Sequence, residues 1–341
     1  MDLFTPRVPL EKQHLLFKKL SEPAYLPERQ VIETWAEGFN DRDGKFAKEF
    51  QTTFESCLWE LYLFACLKQR GAKVDLTHYA PDFIVETPQN FCMEATIAAP
   101  AMGGALPVGY SMQEMPEDFN AFNSQAAIRI ANSFSSKLKK YREGYAALPH
   151  VKGRPFVLAI AAFDRPFAHF ASNRPAIAAL YGLNFDEEAA IAQGPSATSV
   201  PSHQVSGALK ENGASVPLGL FLDDSANEVS AVVYSCLASW GKLRALADSP
   251  GSKSIYQTIH PSALGIVPEV RVTKKVDYVE HLTDGLYVFH NPYAKFPLNK
   301  DVFNFERSAQ IFVEDDELVS VAPDDFLLLR MIQTITHRKE K

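Results

Sequence analysis

From residue 54 to 69 the chain has neither Gly nor Pro, and Phe54, Leu58, Leu61 and Ala65 recur at three- and four-residue steps. That period predicts a helix with one buried stripe, ended by Gly71. The pattern then changes to short β-prone runs at 73–76, 83–86 and 91–97, with Thr87-Pro88-Gln89-Asn90 as the turn between the last two. A second uninterrupted helix is expected over 123–142, burying Ala127, Ile130, Phe134 and Leu138. Residues 156–162 form a continuous apolar run of the kind that fills a strand covered on both faces. The expected order is therefore helix, three-stranded meander, helix, strand.

The flanking segments are less regular. Short helices are expected over 11–20 and 27–37, with a loop at Asn40-Asp41-Arg42-Asp43-Gly44. A Gly-, Pro- and Met-rich loop over 98–118 is placed to cover whatever the preceding strand presents. A helix over 171–181 is expected to be capped by Ser172 or Asn173, with Pro175 in its first turn. Residues 184–214 shift to Ala, Gly, Ser and Pro and read as an exposed excursion. Beyond it the alternation predicts strands at 217–222, 229–237, 269–278 and 285–290, and a hairpin over 309–321. Pro323-Asp324-Asp325 is expected to start a closing helix through Leu327, Leu328 and Met331 that fades into the basic tail 338–341. The division that results is a helical lead (1–50), an α/β core with a mixed sheet (51–182), and a C-terminal α+β extension (183–341) that could continue the core sheet.

Composition narrows the class. With 46% hydrophobic and 22% charged residues the chain is expected to be globular, and no apolar run is long enough to suggest a membrane span. The start, Met1-Asp2-Leu3-Phe4-Thr5-Pro6, lacks the basic and apolar pattern of a secretion signal. Cys57, Cys66, Cys92 and Cys236 form no CxxC pair and sit in apolar segments, as expected of buried thiols in a reducing cytoplasm. The nine histidines show no HExxH spacing, Gly103-Gly104 opens no phosphate loop, and no GxSxG elbow is present. Net charge is −7, which disfavours nonspecific nucleic-acid binding. Locally the balance reverses: between residues 121 and 154 seven Lys or Arg, among them Arg129, Lys137, Lys139 and Lys140, meet a single acid, Glu143.

The candidate chemistry lies between residues 54 and 97. In a strand over 91–97, Glu94 and Thr96 share one face while Met93, Ala95 and Ile97 take the other. If that strand pairs with the one before it, Asp82 comes close to Glu94. Two carboxylates held together repel unless a cation intervenes, and Mg²⁺ accepts carboxylate oxygens and water.

A helix carrying an acid, then Pro81-Asp82, then Glu94-Ala95-Thr96, then a helix and a strand, resembles the PD-(D/E)XK nuclease superfamily over residues 50–162. The resemblance implies a restriction-endonuclease-like αβββαβ core and Mg²⁺- or Mn²⁺-dependent cleavage of phosphodiester bonds, with DNA as the partner. It implies Asp82, Glu94 and the backbone carbonyl of Ala95 as metal ligands, with Glu60 as the acid of the first helix. Glu55 is the second choice, about 140° around the helix from Glu60. Thr96 departs from the pattern, standing where the family has Lys. Gln125, Arg129, Ser133 and Lys137 run at four-residue spacing beside the buried stripe of the next helix, and Lys137 is the expected substitute, with Arg129 behind it. Arg129, Lys139 and Lys140 are expected to contact nucleic acid, and a homodimer is compatible with the sequence. The missing lysine and the acidic total leave open a second reading, a nuclease fold kept as an interaction or assembly module without catalysis.

Overall fold

The computed structural model describes residues 1–100, 103–194, 197–210, 212–263 and 265–334. Helices α1 (Leu15–Leu20), α2 (Leu26–Ala36) and α3 (Phe46–Thr52) precede α4 (Phe54–Gln69). The meander follows as β1 (Lys73–Asp75), β2 (Phe83–Thr87) and β3 (Phe91–Ala98), then α5 (Phe119–Glu143) and β4 (Phe156–Ala162). After α6 (Arg174–Tyr181) come a short helix α7 (Glu187–Gln193) and small strands β5 (Leu183–Phe185), β6 (Ser202–Gln204), β7 (Gly207–Leu209) and β8 (Ser215–Pro217). The chain continues through β9 (Val229–Ser235), α8 (Trp240–Leu246), β10 (Ser254–Ser262), β11 (Gly265–Lys274), β12 (Leu286–His290), β13 (Ser308–Glu314), β14 (Glu317–Val321) and β15 (Leu329–Thr334).

Eight of these strands form one mixed sheet in the order β1-β2-β3-β4-β9-β12-β13-β14. The first three pair antiparallel, β4 lies parallel to β3, and β9 lies parallel to β4. The protein is thus α/β with helices on both faces of a large mixed sheet. The sheet runs on through β12 to β14, while β11, β10 and β15 make a separate three-stranded sheet.

Alternation along the strands sorts the two cores. Phe83, Val85, Met93, Val157, Ala159 and Ala161 face α4 and the N-terminal helices, whereas Ile84, Cys92, Leu158, Ile160 and Ala162 face α5 and α6. Residues 1–50 do not stand apart, since Leu3, Phe17, Ile32, Trp35 and Phe50 belong to the first of these clusters.

Helix α4 begins and ends as its sequence predicts. Gly71 adopts φ +69°, its N–H bonding Lys68 O while Ala72 N–H reaches back to Leu67 O, a left-handed stop that only Gly enters without strain. The single stripe was too narrow an expectation. Leu58, Trp59, Leu61, Tyr62, Leu63, Phe64 and Leu67 are all buried, because α1 to α3 cover the side of the helix that faces away from the sheet. Trp59 Nε1 donates to Ala159 O in the middle of β4 at 3.1 Å and seats the helix on the sheet.

Elsewhere the structure differs from the sequence reading. The strand expected at 217–222 ends at Pro217, and Leu218 to Leu222 turn away, with Gly219 at φ +75°. The closing helix after Pro323 is instead β15, paired antiparallel to β10 with Tyr256 opposite Ile332. The excursion 184–214 contains α7 and β5 to β7, and no side-chain cap forms at Asn173. Ala101 and Met102 of the covering loop, Pro195 and Ser196 of the excursion, and the basic tail 338–341 lie outside the described residues.

Candidate functional site

Strand β2 stops pairing at Phe83, opposite Met93, so β3 runs on past it from Glu94 to Ala98. The backbone N–H of Ala95 then lacks a strand partner on that side. Asp82 supplies one: its Oδ2 accepts from Ala95 N at 2.7 Å. That bond holds the Asp82 carboxylate at the edge of β3, within electrostatic reach of Glu94 and of Glu60.

Glu94 is buried, 2% exposed, and its Oε1 is crowded with donors. Lys137 Nζ lies at 2.7 Å, Lys140 Nζ at 3.2 Å and the Tyr145 hydroxyl at 3.1 Å. A buried carboxylate requires this compensation. Burial and the adjacent Glu94 push the Tyr145 phenol up, so it remains a neutral donor. Among the described residues Glu94 Oε2 has no hydrogen-bond partner, and it is the oxygen left for another ligand.

Burial, followed by Glu94, raises the Asp82 carboxyl to about 6, against the opposing pull of the Ala95 N–H, Lys137 and Arg42. Glu60, on α4, is raised well above the ordinary carboxylate range, first by burial and then by Asp82, with Arg42 opposing and Glu94 adding. Glu60, Asp82 and Glu94 thus form one electrostatic group. Glu55 does not join it; its Oε2 pairs with His14 Nε2 at 3.2 Å on a different part of the surface.

Two residues of the site were not singled out from sequence. Arg42 reaches from the Asn40 to Gly44 loop to the carbonyls of His78 (2.6 Å), Pro81 (3.4 Å) and Asp82 (3.3 Å), and its Nη2 lies 3.6 Å from Asp82 Oδ1. It clamps the segment that carries Asp82. Tyr145 follows α5 in a 3₁₀ turn. Neither had a local signal, because each acts across 36 to 51 residues of chain.

Of the remaining candidates, Thr96 shares the Glu94 face and is partly exposed. Lys139 points outward and, among the described residues, pairs only with Glu143, at 3.7 Å. Arg129 sits two turns before Lys137 and lines a separate cleft of about 390 Å³ together with Asp164, Arg165 and Lys210. A larger cavity, about 690 Å³, opens between Leu16, Trp240, Arg330 and residues 107–112 of the covering loop. None of Glu60, Asp82, Glu94 or Lys137 lines it.

Among the described residues no group of three or more His, Cys, Asp or Glu is arranged to hold a metal ion, and no helix is long and apolar enough to cross a membrane. Comparison of the chain with protein-family models, curated proteins and solved structures gives no match.

Proposed function

We propose that this chain is a metal-dependent nuclease of the PD-(D/E)XK kind that hydrolyses phosphodiester bonds in DNA, with Asp82 and Glu94 holding Mg²⁺ or Mn²⁺. The observation that carries the reading is Lys137 Nζ at 2.7 Å from Glu94 Oε1. It is a cation brought by α5 to the acid pair, where the family's strand lysine is replaced by Thr96. The succession α4, β1, β2, β3, α5, β4, with β4 parallel to β3, supports a restriction-endonuclease-like core.

The donors suit a hard cation. Asp82 and Glu94 offer carboxylate oxygens and Ala95 a backbone carbonyl, and with fewer than three acids the rest of the shell of a bound Mg²⁺ would be left to water. When bound, such an ion activates water and polarises the phosphate. Lys137 can turn its ammonium from Glu94 to a non-bridging phosphate oxygen and stabilise the charge that builds there. Glu60, which keeps its proton past the usual range, can donate a hydrogen bond into the site and orient it. Arg129, Lys139 and Lys140 offer contacts to the DNA backbone, which position a strand without reading its sequence. Four free, buried cysteines agree with a cytoplasmic location.

One observation favours a second reading, a nuclease fold kept as an interaction module. Glu94 Oε1 already has its charge met by two lysines and a hydrogen bond from the Tyr145 hydroxyl. Cleavage of plasmid and single-stranded DNA with Mg²⁺ or Mn²⁺, by the parent and by Asp82→Ala and Glu94→Ala, separates the two. Metal-dependent cutting that both variants lose supports the nuclease; three proteins that behave alike remove it.

A further inference from the structure

The cleft beside Arg129 lies at the rim of the sheet, past the carboxyl ends of β3 and β4, and is lined by α5, by Asp164 and Arg165 just after β4, and by Lys210 and Asn212 of the excursion. Among the described residues that line it, three are cationic, Arg129, Arg165 and Lys210, and one, Asp164, is a carboxylate. Arg165 Nε donates to Asp164 Oδ2 at 2.5 Å, and its guanidinium lies over the Phe122 ring, so its position is set. Among the described residues the side chains of Arg129 and Lys210 have no hydrogen-bonded or ion-paired partner.

The second observation is Asp164 itself. Its side chain is 1% exposed, yet its Oδ1 has no hydrogen-bond partner. An orphaned buried carboxylate oxygen is costly, and native structures retain one where something else completes it. Arg129 is within electrostatic reach of Asp164 but does not bond to it. A guanidinium has five donors, enough to bridge a carboxylate and a second anion at once. A phosphate drawn in between Arg129 and Arg165 would bring Arg129 onto Asp164 Oδ1 and satisfy both.

We propose that Arg129, Arg165 and Lys210, organised around Asp164, form a subsite for a backbone phosphate of the nucleic-acid strand whose scissile bond lies at Asp82 and Glu94. The placement rests on the nuclease reading; the phosphate chemistry does not. Arg129 and Lys137 are eight positions apart on α5, about 12 Å along its axis, which sets the held phosphate a few nucleotides from the acids. The strand would run along the flank of α5, with Ser133, whose Oγ meets Ile97 O at 3.4 Å, between the two points.

The test is anisotropy of a fluorescein-labelled single-stranded DNA with the full chain in EDTA, over a salt series, for the parent, Arg129→Gln, Lys210→Gln and Lys48→Gln. Lys48 is exposed on α3, over the opposite face of the sheet, and serves as a control for lost charge. Arg129→Gln and Lys210→Gln are each expected to weaken binding about fivefold and to reduce the salt slope by about 1, with Lys48→Gln unchanged. Asp164→Asn is expected to weaken binding too, although it removes a negative charge; tighter binding would show that Asp164 merely repels the strand and would overturn its positioning role. Parent-like affinity and slope in Arg129→Gln and Lys210→Gln, an equal loss in Lys48→Gln, or no binding by the parent each overturns the subsite. Weakened binding by Arg129→Gln in a protein whose cutting is indifferent to Asp82→Ala and Glu94→Ala would sink the nuclease and leave the subsite standing.

Discussion

The Asp82 carboxylate accepts the Ala95 backbone N–H at 2.7 Å, within electrostatic reach of Glu94. One hydrogen bond therefore satisfies the N–H left free where strand pairing ends and brings two acids together. With its carboxyl raised to about 6, Asp82 has no effect on stability at low pH, where folded and unfolded chains both carry the proton. Between about 4 and 6 the unfolded chain has lost that proton and the folded chain has not, so stability falls as pH rises. Above this window the ionised pair is a standing penalty that a divalent ion relieves. Millimolar Mg²⁺ or Mn²⁺ should raise Tm by a few degrees at pH 7.5 and not at pH 4.5, and should raise it at neither pH in Asp82→Ala. Scanning fluorimetry with and without EDTA checks this, and a metal response independent of pH and of Asp82 would count against the pair.

Lys137 and Thr96 offer a swap. Lys137→Gln is expected to lower the turnover of DNA cleavage about 100-fold, the usual cost of losing one charge-stabilising donor. Thr96 shares the Glu94 face, so Thr96→Lys in the Lys137→Gln background returns an ammonium from the strand side, and at least a tenth of the parent rate is expected back. Single-turnover rates check it; no recovery in a folded double variant would mean that Lys137 does something a strand lysine cannot.

The core elements could be read from the sequence because their signals are local. Gly71 ends α4 through its own backbone, and the seven-residue apolar run of β4 admits burial on both faces and little else. Segment 323–334 went the other way. Leu327, Leu328 and Met331 fall at helical spacing, but pairing with β10 pulls the chain into a strand, and Arg330 is buried for a reason that no nearby residue reveals. Its partner Glu280 is fifty residues away. At the site, Glu60, Glu94 and Lys137 lie on regular elements whose faces can be counted and Asp82 directly precedes one, whereas Arg42 comes from a loop and Tyr145 from a 3₁₀ turn.

Glu280 sits between Lys242 and Arg330, with all three side chains 2% exposed or less, and joins α8 to the smaller sheet. Removing the shared anion leaves two buried cations uncompensated. Glu280→Ala should cost about 3–5 kcal/mol in urea unfolding, far more than an exposed pair such as Lys139 with Glu143. A loss below about 1 kcal/mol would place this triad among pairs that contribute little.

Glu60 is the sharpest test of roles within the acidic group. Burial and Asp82 hold its carboxyl well above the ordinary range, so the folded protein favours the protonated form, which glutamine imitates in shape and charge. The sign follows: the folded chain binds the proton more tightly, so Glu60 costs stability progressively as pH rises beyond the unfolded carboxylate value. Glu60→Gln removes that cost and should be more stable than the parent at pH 8 and equal to it near pH 4, as read by Tm. If Glu60 only donates a hydrogen bond into the site, Glu60→Gln should cut DNA within about tenfold of the parent, because the amide still donates, while Asp82→Asn falls by about 100-fold or more. A Glu60→Gln protein as inactive as Asp82→Asn would make Glu60 an ionised ligand in its own right.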